Sequence, residues 1–85
     1  MVRRGDERTE RQEVFGERVR ERRKEMGLSQ EALALTSGLQ RAYIGQIEQG
    51  RRNVSLDNMA DVARALEVGL GDLVAGLQDL RGHRD

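Results

Sequence analysis

Residues 29–50, SQEALALTSGLQRAYIGQIEQG, read as two short helices joined by a tight turn at Gly38. Ser29 is a good N-cap for the first, which carries Ala32 and Leu33 on its inner face before Gly38 ends it. The second runs from about Gln40 to Gln49, with Ile44 and Ile47 pointing inward and Gly50 as its stop. Arg41, Ala42, Gly45 and Gln46 then share the opposite face. A polar, short-chained face on a helix braced by another is what reading DNA base edges in a major groove requires.

Apolar stripes of helical period continue on both sides. Val14, Phe15, Val19 and Met26 mark a first helix that closes at Gly27. Asn53 and Ser55 offer loop and capping chemistry for a fourth, with Asp57 in its first turn and Leu56, Met59, Val62, Ala63 and Leu66 along its apolar side. Gly69 and Gly71 bracket a break, after which Leu70, Leu73, Val74, Leu77 and Leu80 form the stripe of a fifth helix. Residues 1–13, MVRRGDERTERQE, have one apolar side chain after the initiator Met. They predict a charged, flexible arm that becomes helical near its end, either a solubilising tail or a DNA-contacting arm. The expected organisation is an all-α, compact five-helix domain over residues 14–80, followed by a tail at 81–85.

Eighty-five residues suffice for one small core but not for a deep enzyme cleft on a scaffold. Without cysteine there is no disulfide framework, thiolate metal site or thiol nucleophile. The single histidine, His83, stands in the tail beside Arg84 and Asp85, and the chain has neither a phosphate-cradling glycine loop nor HExxH. No enzyme activity, metal or cofactor is therefore expected. No apolar run approaches the ~20 residues that cross a bilayer, and the N-terminus lacks the apolar core of a signal peptide, so a cytoplasmic, nucleoid-associated location is expected.

Fifteen basic and fifteen acidic residues cancel, which by itself does not suggest a nucleic-acid binder. Residues 1–53 hold twelve Lys/Arg against nine Asp/Glu, while residues 54–85 hold three against six. Ends of unlike sign suit a protein that meets phosphate with one end and a partner with the other, although solvated helix faces give the same pattern.

At Gln30, Ala34, Gly38, Tyr43-Ile44, Ile47-Glu48 and Gly50 the chain resembles the phage-repressor-like (Cro/repressor, or Xre) helix-turn-helix family, from about Phe15 to Val74. The order LSQEALA, G, YIxxIExG, NxSLxxxxxxAxALxV carries that resemblance. It implies a lambda-repressor-like DNA-binding fold with the helix-turn-helix at helices 2 and 3. The string RxYIxxIExGRRNxSL in so short a chain further resembles the controller proteins of restriction–modification systems, which are compact homodimers without a separate ligand or protease domain.

Residue roles follow from position and from that resemblance. Arg41, in the first turn of the recognition helix, is the first choice for a base contact, since a guanidinium bonds guanine O6 and N7 together; a phosphate contact alone is the alternative. Gln40 stands where the family usually caps with Ser or Thr, and it is a phosphate or adenine contact or merely a poor cap. Ala42 suits a thymine methyl and Gln46 suits adenine or phosphate. Gly45 either lets the helix lie close to the groove floor or has drifted. Gln30, by resemblance, bonds a phosphate and buttresses the recognition helix, and a helix N-terminus is a ready anion site. Tyr43, Arg51, Arg52 and Asn53 are candidate phosphate contacts on the other side, with Tyr43 alternatively part of the core. The resemblance implies an ion pair between Arg23 and Glu48, and it departs at Arg22, where a leucine is usual. Leu73, Leu77 and Leu80 are the candidate dimer interface, against the alternative of a helix folded back on its own core.

The function expected is sequence-specific transcriptional regulation by a homodimer on palindromic operator DNA, with RNA polymerase as a further contact where it activates. An antitoxin of a toxin–antitoxin pair, or a protein–protein module retaining the fold, are the other readings.

Overall fold

The computed structural model describes residues 8–82. The arm's first seven residues and His83 to Asp85 of the tail lie outside the described residues. Five helices follow in order: α1 Glu10–Glu25, α2 Gln30–Ser37, α3 Arg41–Glu48, α4 Leu56–Ala65 and α5 Leu70–Val74; a short 3-10 turn follows at Leu77–Asp79. Among the described residues there is no strand, in keeping with the all-α expectation.

α1 starts four residues ahead of Val14, inside the stretch expected to be an arm. The cause is a capping box: the Gln12 amide donates to Thr9 Oγ1 at 3.1 Å, and the Thr9 amide donates to Gln12 Oε1 at 2.7 Å. Glu10 and Glu13 in the first turn and Arg22, Arg23 and Lys24 in the last complement the helix dipole. α2 ends on Gly38, whose φ of 79° is left-handed and open to glycine at no steric cost. That turn sets α3 across α2.

The core gathers Phe15 and Val19 of α1, Leu33 of α2, Ile44 and Ile47 of α3, Val62 and Leu66 of α4 and Leu73 of α5, all buried. Leu56, assigned by its spacing to the apolar side of the fourth helix, is 66% exposed at the first position of α4.

The fifth helix is shorter than its leucine stripe. It stops at Val74, the chain turns at Gly76 in the left-handed region, and Leu77 sits in the 3-10 turn, packed back against the core. Arginines of α1 take over the released carbonyls. Arg18 Nη1 donates to Leu73 O at 3.1 Å and Ala75 O at 2.8 Å, and Arg11 donates to Leu77 O at 2.8 Å and Gln78 O at 3.0 Å. Arg22 Nε donates to Leu66 O at 2.9 Å, so the residue that departs from the family pattern terminates α4. Arg81, expected in the tail, pairs with the start of α1: its amide donates to Glu10 Oε1 at 2.8 Å, and Glu10 N donates to Arg81 O at 3.1 Å.

Candidate nucleic-acid interface

α3 is amphipathic in the sense the sequence predicts. Ile44 and Ile47 are buried, Arg41 and Ala42 are exposed, and Gly45 and Gln46, each one turn further along, are partly exposed. Gln40 occupies the N-cap position in extended backbone, and its side chain makes no capping hydrogen bond. The amide is thus free, and the first turn of α3 keeps backbone N–H groups without an intrahelical partner.

The two ends of α3 are fixed by different devices. At its C-terminus, Glu48 is held by Arg23 of α1, whose Nε and Nη2 donate to Oε2 and Oε1 at 2.6 and 2.9 Å. Arg23 is 9% exposed, and its Nη1 donates to Leu28 O at 2.8 Å in the α1–α2 connection. The hydrogen bonds it donates to Glu48 raise the guanidinium's pKa above its ordinary value, against the opposing effect of burial. The ion pair expected from the resemblance is therefore present. Gln30, at the first position of α2, joins it by donating from Nε2 to Glu48 Oε1 at 3.1 Å.

Tyr43 stands on the other flank of α3, half-buried. Asn58 Nδ2 donates to its hydroxyl at 3.0 Å, and the Arg52 guanidinium lies over its ring, 4.9 Å from the centroid. A cation over an aromatic face is attracted by the ring quadrupole, which favours holding the loop arginine beside α3. Gln40, Ala42, Tyr43, Gln46, Arg52 and Asn58 line one open groove beside α3. Arg51, Arg52 and Asn53 are all exposed in the α3–α4 loop. Asn53 lines a neighbouring hollow with Thr9, Arg11 and Leu77, and Arg52 lines both that hollow and the groove beside α3.

Sequence reasoning missed Asn58. The signal was there in outline, since Ser55 caps α4 through the Asn58 amide at 3.1 Å and so fixes where that residue sits. Of the three leucines expected at an interface, Leu73 belongs to the monomer core at 3% exposure, while Leu77 and Leu80 are half-buried. The large apolar side chain most open to solvent among the described residues is Leu35 of α2, 86% exposed, which the sequence did not single out. No group of three or more His, Cys, Asp or Glu residues is placed to hold a metal among the described residues, and no helix there is long and apolar enough to cross a membrane.

Comparison with known proteins agrees with this geometry. Residues 19–73 match the family profile described as helix-turn-helix. Control protein C.BamHI of Bacillus amyloliquefaciens is 47% identical over 62 residues, covering 72% of this chain and 76% of that protein. The crystal structure of the restriction–modification controller protein C.AhdI from Aeromonas hydrophila superposes with a TM-score of 0.70 at 51% identity, covering 72% of this chain and 92% of that one. The P22 c2 repressor in complex with a synthetic operator superposes with a TM-score of 0.69 at 30% identity, covering 74% of this chain and 96% of that one.

Proposed function

This chain belongs to the helix-turn-helix family, and we propose that it is a DNA-binding transcriptional regulator of the restriction–modification controller kind, acting as a homodimer on a palindromic operator. The observation that carries this reading is the split of α3 into a buried Ile44–Ile47 side and an open Arg41–Ala42–Gly45–Gln46 side. Neither the family nor the relatives' names describe an enzyme.

In this reading α3 enters the major groove N-terminus first. Arg41 reads guanine, Ala42 meets a thymine methyl, and Gln40 and Gln46 read adenine or steady the strand, while Gly45 adds no side chain to that face. Gln30 on one flank and Tyr43, Arg51, Arg52 and Asn53 on the other hold phosphates, which set register without carrying sequence information. The ring contact with Tyr43 supports Arg52 as the best ordered of these.

The dimer is built on α5 and the turn after it, where Leu77 and Leu80 retain surface that Leu73 does not. Two-fold symmetry there would set two recognition helices about 34 Å apart, one turn of DNA. Bound in the cytoplasm at the nucleoid, such a dimer represses where it covers a promoter and activates where it touches RNA polymerase. The net charge of zero is the one observation favouring a protein–protein module that keeps the fold without reading DNA. Titration of duplex DNA across a range of salt concentrations separates the readings. A regulator loses affinity steeply as counterions are released, and a module of the second kind shows no such binding.

A further inference from the structure

A glycine in the middle of a helix costs roughly 1 kcal/mol against alanine, so Gly45 in α3 calls for a reason. Packing does not force it. A β-carbon built on Gly45 would lie 3.7 Å from Oε1 and 3.9 Å from Nε2 of Gln30, ordinary contact distances that leave room for a side chain. What a side chain there would do is cover the Gln30 amide.

That amide is held by a carboxylate one turn further along α3. Gln30 Nε2 donates to Glu48 Oε1 at 3.1 Å, and Glu48 is itself pinned by Arg23, with its side chain only 3% exposed. A carboxylate accepts and never donates, so Glu48 selects the amide orientation that turns the nitrogen toward it and rejects the flipped one. An amide nitrogen has two protons. One is committed to Glu48, leaving the second for an outside acceptor, and phosphate oxygens are acceptors only. Arg23 neutralises the Glu48 charge that would otherwise repel a phosphate nearby.

We propose that Gly45 is a positioning residue for DNA binding: by carrying no side chain it leaves the Glu48-oriented amide of Gln30 uncovered, and the second Nε2 proton donates to a backbone phosphate. This rests on the DNA-binding reading above and gives Gly45 a purpose other than close approach of the helix to the groove floor. Glu48 then links a phosphate contact on α2 to the end of the recognition helix.

The test places Gly45→Ala and Gly45→Leu in the unaltered chain and in Gln30→Ala, and titrates each against a labelled mixed-sequence DNA duplex at several salt concentrations. Gly45→Leu is expected to weaken binding roughly tenfold in the unaltered chain but less than about twofold where Gln30 is already alanine. Gly45→Ala gives a smaller loss with the same dependence on background. The slope of affinity against salt stays unchanged, because a neutral amide releases no counterion. Thermal melting checks that the variants remain folded, which alanine in mid-helix favours. Equal losses in both backgrounds, or no loss from Gly45→Leu, would overturn the proposal. Failure of the unaltered chain to bind the duplex at all would overturn the DNA reading, and this inference with it.

Discussion

Gly16 of α1 and Ile47 of α3 meet backbone to backbone: a β-carbon at position 16 would collide with the Ile47 carbonyl oxygen and stand 3.1 Å from the carbonyl carbon and oxygen of Glu48. The recognition helix therefore rests on α1 at van der Waals distance, just where the Arg23–Glu48 pair ties the same two helices. Its tilt is set by main-chain contact rather than by adaptable side chains.

Gly16→Ala accordingly should destabilise the fold by about 1–3 kcal/mol, the usual range for overpacking, although alanine is the better helix former. Gly45→Ala, in α3 with only ordinary van der Waals contact to Gln30 beside it, should stabilise by up to about 1 kcal/mol. Urea unfolding of the two variants checks the contrast. Helix propensity, which changes alike in both variants, cannot produce it, so two stabilising results would mean that α1 and α3 are not in backbone contact.

The Arg23–Glu48 pair carries a second expectation. Arg23→Met leaves a buried carboxylate without its partner and should cost about 3–5 kcal/mol, well above the ~1 kcal/mol ceiling of an exposed pair. The double variant Arg23→Met, Glu48→Leu should cost less than the sum of the single changes. The guanidinium pKa is raised in the folded state, chiefly by the Glu48 hydrogen bonds. The stability it contributes is fully present below the unfolded-state value and is lost only as pH rises through the higher folded value. Arg23 therefore adds no pH dependence of stability near neutrality, which unfolding curves from mildly acidic to mildly alkaline buffer can check in Arg23→Met, Glu48→Leu against Glu48→Leu, a pair in which no Glu48 carboxylate is left to titrate.

Glu67 has a φ of 58°, in the left-handed region. It follows Leu66, the C-cap of α4, in a Schellman arrangement, with Glu67 N donating to Arg64 O and Val68 N to Ala63 O, both at 3.1 Å. Glycine is the residue usually found there. Glu67→Gly should raise stability by about 1 kcal/mol and the melting temperature by roughly 4–8 °C; an unchanged or lower value would show that the glutamate side chain has a compensating contact.

Two arginines should separate by role. Arg41→Ala is expected to cost about 1–3 kcal/mol of DNA affinity and to relax preference at one base pair. Arg52→Ala should weaken binding evenly across sequences and flatten the salt slope by about one unit. Binding curves on a set of single-base variants of the operator check this. Identical, sequence-independent losses from both would move Arg41 to the phosphate backbone.

The helices themselves were legible because glycines and capping residues punctuate regular apolar stripes. Ser29, Gly38, Ser55 and the Ile44–Ile47 pair act in the structure as their spacing predicts. The Thr9–Gln12 capping box was equally readable but was masked by the charge of the arm around it. What no local pattern carried were the long-range links. Arg11, Arg18 and Arg22 look like solvated charges on a helix face, yet they cap carbonyls 44–67 residues away. Likewise the leucine stripe of residues 70–80 has helical spacing, and only the left-handed Gly76 and those arginine caps break it into a helix and a turn. Around α3 the exposed face was readable by period, whereas Asn58 on Tyr43 and Gln30 on Glu48 depend on helices meeting in space.

As proposed above, α3 reads DNA as one half of a symmetric pair. In vitro selection of bound fragments from a random DNA pool near physiological salt tests it most directly. Recovery of a motif with two inverted half-sites about ten base pairs apart, centre to centre, is the expected result. Recovery of no motif, with binding lost at modest salt, would contradict it.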